Sequence, residues 1–272
     1  MKTLRRKTPA RTAVRKKRPA KHRAGKARAR KSGKPKKNPA RADSSGSLAS
    51  RIQAAPPSSA PVTARARVAA WLGEISKTTA GKALALLLAK NAKLRALVES
   101  LADGSPYLWQ LASAEPPRLW RLLQSDPDRH LAALLADTAG TVAATDDEAR
   151  AMHLLRRMKA EAALLIALAD IGGVWPVMRA TQALTELADA AVSSAVQFLL
   201  ADAARAGNLS PRDRQRPQDG SGYIVLAMGK MGACELNYSS DIDLIVFFDP
   251  GAPALVEGGE PGQLFVRITR AL

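Results

Sequence analysis

The chain has 272 residues, 46% of them hydrophobic, and a formal net charge of +18, so it can bury a substantial core and is not disordered as a whole. The charge is uneven: residues 1–50 hold 19 Lys and Arg against the single acid Asp43, leaving 23 basic and 23 acidic residues for a formally neutral remainder. One cysteine, Cys234, excludes an intramolecular disulfide and a Cys-rich zinc cluster and fits a reducing compartment.

The first 47 residues are rich in Lys, Arg, Ala and Pro with no aromatic residue, and are expected to be a disordered basic tail. Clustered Lys and Arg release counterions from a phosphate backbone, so residues 1–50 read as an arm for non-specific nucleic-acid contact. A plain solvated tail, residues from an over-early start codon, and an Arg-rich transit peptide are the other readings; prolines oppose the last. An Ala, Ser and Pro linker completes a first region, 1–64. Helical periodicity follows over 65–210. "GKALALLLAKNAKLRALVESLADG" places Leu84, Leu87, Leu88, Leu94, Val98 and Leu101 near a 3.6-residue period and predicts one helix ending near Gly104. Shorter helices are predicted from 117 to about 124 and from 128 to about 136, separated at Asp126-Pro127. "TDDE" offers a capping box, Thr145 with Glu148, ahead of a long helix whose apolar run from Ala162 to Ala169 implies burial. Gly172-Gly173 ends it, Pro176 suits the first turn of the next helix, and that Ala-rich helix stops near Gly207. The two long helices are predicted to pair as an antiparallel hairpin in a bundle.

"NLSPRDRQRPQDGSG" reads as a polar domain boundary, and the period then changes. "YIVLAMG" and "IDLIVFFDP" are short apolar runs bounded by Gly and Pro, the pattern of buried strands. The fold class is therefore α+β: tail, helical region, and over 211–272 the start of a mixed α/β domain. No window reaches the roughly 18–20 consecutive apolar residues of a membrane span, and no apolar stretch follows the basic start as in a secretory signal. His22, His130 and His153 are far apart and take surface or helix-face roles.

Asp241 and Asp243 carry the chemistry. Residues two apart in a strand share a face, so both carboxylates point one way at the head of an apolar strand. Two carboxylates held together repel, and a divalent cation with oxygen ligands, Mg²⁺ above all, compensates them while binding nucleotide phosphates. Upstream, Gly229 and Gly232 let backbone N–H groups approach a triphosphate or pyrophosphate, and Lys230 adds positive charge. Ser239 and Ser240 offer hydroxyls to phosphate or hold the first aspartate. Blander roles exist for each: Asp241 as a turn cap, the glycines as turn residues, Glu235 in a salt bridge or cap, Cys234 in packing.

"MGKMGACELNYSSDIDLIVFF" closely resembles the first nucleotidyltransferase motif of bacterial glutamine synthetase adenylyltransferase, the bifunctional adenylylating and adenylyl-removing family. The similarity runs from about Arg65 to the end. It implies a polymerase-beta-like nucleotidyltransferase domain in the cytoplasm, using Mg²⁺ with ATP, ADP and phosphate as substrates or products. It also implies glutamine synthetase as protein partner and the signalling protein PII as regulator. The "ELNYSSDIDL" wording resembles the copy that removes AMP from a glutamine synthetase tyrosine by phosphorolysis. Asp241 and Asp243 match the family's metal-binding aspartates; Gly229, Lys230, Ser239 and Ser240 match its nucleotide-phosphate segment. Sites of this class need a third carboxylate. Asp249, Glu257 and Glu260 are poor candidates, and "QLFVRITRAL" reads as a helix just starting with its apolar residues uncovered, so a truncated chain is expected. The rival readings are a non-catalytic scaffold or nucleic-acid binder and a nucleotidyltransferase with another acceptor.

Overall fold

The computed structural model describes residues 46–272, so the basic tail and its nucleic-acid contact lie outside the described residues. Among the described residues nine helices come first: α1 (Leu48–Arg51), α2 (Pro61–Ile75), α3 (Thr79–Lys90), α4 (Ala92–Gly104), α5 (Pro106–Ala114), α6 (Pro116–Gln124), α7 (Pro127–Ala143), α8 (Glu148–Ile171) and α9 (Val177–Arg205). Residues 48–64, expected as a linker, are built into this unit. Leu48, Ala49 and Ile52 are buried. The Leu48 N–H donates to the Ser125 carbonyl (2.8 Å), and those of Gln53 and Ala54 donate to the Gly172 carbonyl (2.8 and 3.1 Å). Asp103 on α4 then gathers Ser58 Oγ, Ser59 N, Ser59 Oγ and Ala60 N on one carboxylate oxygen at 2.6 to 3.1 Å, capping α2 from another helix.

The single helix predicted up to Gly104 is two. Asn91 leaves helical geometry (φ −126°, ψ 95°) and its Oδ1 caps α4 by accepting from Leu94 N at 3.0 Å. Its amide nitrogen donates to the Ala49 carbonyl at 2.9 Å, so the break is held by a tertiary partner. The α8 cap is Asp147, which accepts from Arg150 N at 3.2 Å, and not the predicted Thr145–Glu148 box. Thr145 instead accepts from Asp147 N. α5 was not foreseen, and α7 runs seven residues past the predicted end, to Ala143.

The bundle core forms around the C-terminal half of α8, where Ala162 and every residue from Leu164 to Ala169 are buried. α7, α8 and α9 pack on one another, and Trp71 of α2 meets Trp109 of α5 edge-on at 5.4 Å. His130, on a face of α7, belongs to a part-buried polar cluster. Its Nε2 lies 2.7 Å from Glu161 Oε1, while Arg121 Nη2 donates to Glu161 Oε2 at 2.8 Å. α9 is long and apolar enough to span a bilayer, with a mean hydropathy of 1.3 in its best window. Here it is a bundle helix: Ala180, Ala183 and Leu187 face the α8 core, and Leu200 and Ala203 enter a second core.

That second core supports the remainder: β1 (Tyr223–Ala227), a single turn α10 (Gly229–Gly232), β2 (Leu244–Phe248) and α11 (Pro261–Ala271). The strands pair antiparallel, Tyr223 opposite Phe248 and Ala227 opposite Leu244. Tyr223, Leu264, Phe265 and Ile268 pack with Leu200, Ala203 and Leu209. Two expectations are corrected here. The apolar residues Leu264, Phe265 and Ile268 of α11 are covered, by α9 and the sheet, although Val266 is exposed. The strands are covered on one face only, and there in part: Tyr223 is buried and Val225 and Val246 are half-buried, while Ile224, Leu226, Ile245 and Phe247 on the other face stay 41 to 52% exposed.

Candidate active site

β1 delivers the chain to a turn that only small residues permit. A Cβ on Gly232 would lie 2.5 Å from the Ala227 carbonyl oxygen, so a glycine there lets α10 fold back on the strand end. Gly229 has φ +54°, in the left-handed region. Lys230 is exposed on this turn and makes no ion pair among the described residues. The turn stops at Cys234, whose φ is +59° and whose successor Glu235 donates from its N–H back to the Lys230 carbonyl at 2.8 Å. This is a helix ending that normally takes glycine. Cys234 is exposed, not packed as expected.

Leu236 then anchors the chain in the interior, and residues 237–240 form a tight Asx-type turn. Asn237 Oδ1 accepts from Ser239 N (3.0 Å) and Ser240 Oγ (2.9 Å), and Asn237 N donates to Ser240 Oγ (3.2 Å). The Ser240 hydroxyl is thus committed to shaping the turn that leads into Asp241, whereas Ser239 is exposed. Between these two serines' partner and the motif stands Tyr238, whose phenol donates to Asp170 Oδ2 at 2.9 Å. Partial burial, with the Asp170 carboxylate beside it, holds the phenol well above its ordinary pKa.

Asp241 to Asp243 precede β2 as extended, irregular chain. The Met228 N–H donates to the Asp243 carbonyl at 2.8 Å, which carries the antiparallel ladder one pair beyond Ala227–Leu244. Asp243 therefore shares the face of Ile245 and Phe247, the open one. Its Oδ2 lies 3.4 Å from where a Gly229 Cβ would be, so the carboxylate stands directly against the glycine turn. Both aspartates are exposed, and neither carboxylate makes a hydrogen bond or ion pair among the described residues. The structure thus brings Asp243 and Gly229 together, with Met228 as the joint, and links Ser240 to Asp241 through the turn. Asp249 is used elsewhere: its Oδ1 accepts from Gly251 N at 2.9 Å in the turn after β2. No group of three or more His, Cys, Asp or Glu side chains that could hold a metal occurs among the described residues. Tyr238 and Asp170 escaped the sequence reading. The available signal was an aromatic ring set alone within the polar run Asn237–Ser240.

Strand, glycine turn and a second strand headed by two free carboxylates, carried on a helical unit, is the layout expected where a nucleotidyltransferase domain begins. The family model for glutamate-ammonia ligase adenylyltransferase matches residues 94–272, and the chain belongs to this family. Similar proteins named bifunctional glutamine synthetase adenylyltransferase/adenylyl-removing enzyme occur in several bacteria. That of Bradyrhizobium diazoefficiens is 53% identical over 235 residues, covering 86% of this chain and 23% of the relative. That of Rhodopseudomonas palustris strain BisB5 is 50% identical over 225 residues, 83% of this chain and 23% of the relative. That of Xanthobacter autotrophicus is 50% identical over 186 residues, 68% and 19%. The chain thus spans about a quarter of the length of the curated relatives it matches. No solved structure matches it.

Proposed function

We propose that this chain forms the helical region and first part of a polymerase-beta-like domain that removes AMP from a tyrosine of glutamine synthetase. A phosphate oxygen attacks the phosphorus of the tyrosyl-AMP ester, the phosphorus–phenol bond breaks, the tyrosine regains its proton and ADP leaves. The observation that carries this reading is Asp243, whose main chain extends the sheet from Met228 while its carboxylate stands free beside Gly229 on the open face. The donor set suits Mg²⁺: Asp241 and Asp243 offer hard carboxylate oxygens, exposed and unclaimed by any described cation, and these two would hold the ion. Magnesium supplies charge neutralisation at the phosphate oxygens when bound. Gly229 and Gly232 keep side chains out of the phosphate's approach, and Lys230 adds positive charge on the same turn. Ser240 fixes the turn before Asp241, leaving Ser239 the hydroxyl free to donate to a phosphate oxygen. On this reading the reaction is cytoplasmic, ATP serves the opposing adenylylation, and PII is the regulator implied by family resemblance.

The test uses the complete protein with adenylylated glutamine synthetase and inorganic phosphate. Asp241→Asn and Asp243→Asn are each expected to lower ADP release by about two orders of magnitude or more, with the circular dichroism spectrum unchanged. Undiminished ADP release in both variants would overturn the reading.

A further inference from the structure

The segment that presents the acidic pair is held mostly by itself. Among the described residues, Glu235 bonds back to Lys230, and Asn237, Ser239 and Ser240 bond one another. Leu236 is buried, and Tyr238 makes the segment's one described side-chain hydrogen bond to a distant element, its phenol reaching Asp170, 68 residues away in sequence. Asp170 is a firm anchor. It lies in the last turn of α8, directly after the buried run ending at Ala169, and its carbonyl accepts from Gly173 N at 2.9 Å. The Ala169 carbonyl accepts from both Val174 N and Trp175 N, and the Gly172 carbonyl from Gln53 N and Ala54 N, so the helix end is tied on several sides. Tyr238 is 52% exposed as a residue, so the bond adds modest stability and its value is geometric: it fixes where the Asn237–Ser240 turn stands.

We propose that Tyr238 is a positioning residue, through which Asp170 at the end of α8 sets the turn carrying Ser239, Ser240 and Asp241, so that the helical unit governs the geometry of the acidic pair. The kinetic consequence rests on the deadenylylation reading above; the consequence for the loop does not. Misplacement of a catalytic group by about an ångström is enough for a large rate loss. Removing the phenol hydroxyl therefore weakens turnover more than substrate binding.

The experiment uses the complete protein with Tyr238→Phe, Asp170→Ala, the double variant, and Asp170→Asn, whose amide oxygen can still accept from the phenol. Two readouts are taken: kcat and KM for ADP release from adenylylated glutamine synthetase, and hydrogen exchange of amides 237–243. Tyr238→Phe and Asp170→Ala are each expected to lower kcat about tenfold with KM within about twofold, and to speed exchange across the turn. The double variant is expected to be no worse than either single one, and Asp170→Asn to recover most of both readouts. Unchanged exchange in Tyr238→Phe overturns the proposal whatever kcat does, and so do additive losses in the double variant. If the Asp241 and Asp243 variants still release ADP, the deadenylylation reading fails, while exchange continues to decide the tether.

Discussion

Glu161→Gln tests whether the polar cluster inside the bundle is a true ionic lock. Glu161 is 8% exposed, with Oε1 2.7 Å from His130 Nε2 and Oε2 2.8 Å from Arg121 Nη2. Ser125 Oγ donates its one proton to the Arg121 carbonyl at 2.6 Å, so its oxygen faces His130 Nδ1, 3.2 Å away, as an acceptor. Glutamine keeps the shape but has one acceptor oxygen and no charge, so the charge-assisted bond on one side of the cluster, to His130 or to Arg121, is lost. The Arg121 side chain is 51% exposed and can turn to water, whereas that of His130 is only 14% exposed. The loss is therefore close to one charge-assisted hydrogen bond, about 2 kcal/mol. Burial raises the Glu161 pKa, but the His130 and Arg121 hydrogen bonds and charges outweigh it and hold the carboxyl below its ordinary value of 4.5. With the folded value depressed, this stabilisation is present above pH 4.5 and is lost as pH falls through the folded pKa. Urea unfolding of both proteins from pH 7 to 3 is the assay, with equal m-values required. A difference below about 0.5 kcal/mol at pH 7, or one that persists unchanged at pH 3, would refute the reasoning.

Asp103→Asn should cost stability at pH 6 and very little near pH 2. The Ser58 hydroxyl, the Ala60 N–H and the Ser59 groups depress its carboxyl from 3.8 to about 2, so its contribution fades as pH falls from about 4 toward 2; unfolding followed against pH measures this. Cys234→Gly should stabilise the chain by about 0.5 kcal/mol, because relief of the left-handed strain exceeds the entropy glycine costs. Cys234→Val should destabilise it, as thermal unfolding would show, and the exposed wild-type thiol should react with a thiol reagent without unfolding.

What could be read from sequence was what repeats along the chain. The 3.6-residue period located α8 and α9, and its loss after 210 located the strands to within a residue or two. What could not be read was decided by partners distant in sequence. Asn91 looks like one more helical residue until Ala49 supplies a carbonyl for its amide. "PPSSAP" has linker composition, yet its serines and backbone converge on Asp103 more than 40 residues on. His130 carries no local sign of Glu161, 31 residues away. In the candidate site, the spacing of the aspartates and glycines is what draws notice in the sequence. Tyr238 did not, because its meaning lies at the end of another helix.

The acidic pair also resolves a physical puzzle. Unpaired carboxylates in an apolar strand would be costly if the strand were buried on both faces, as runs such as "YIVLA" and "LIVFF" suggest. The sheet is not buried that way. An isolated two-stranded sheet is marginal in water, but Tyr223 packs on Phe265 at 5.4 Å, Phe248 on Phe265 at 5.3 Å, and Tyr223 Oη meets Thr269 Oγ1 at 2.9 Å. With Leu200 and Ala203 of α9 beneath them, these contacts secure the inner face alone. The outer face stays open, and pleat parity places Asp243 there with Ile245 and Phe247. Its charge is therefore hydrated, and no burial penalty opposes it. The same one-sided support that stabilises a small sheet leaves its carboxylate available to a ligand, which is why a near-continuous apolar strand pattern and a free acid can coexist here.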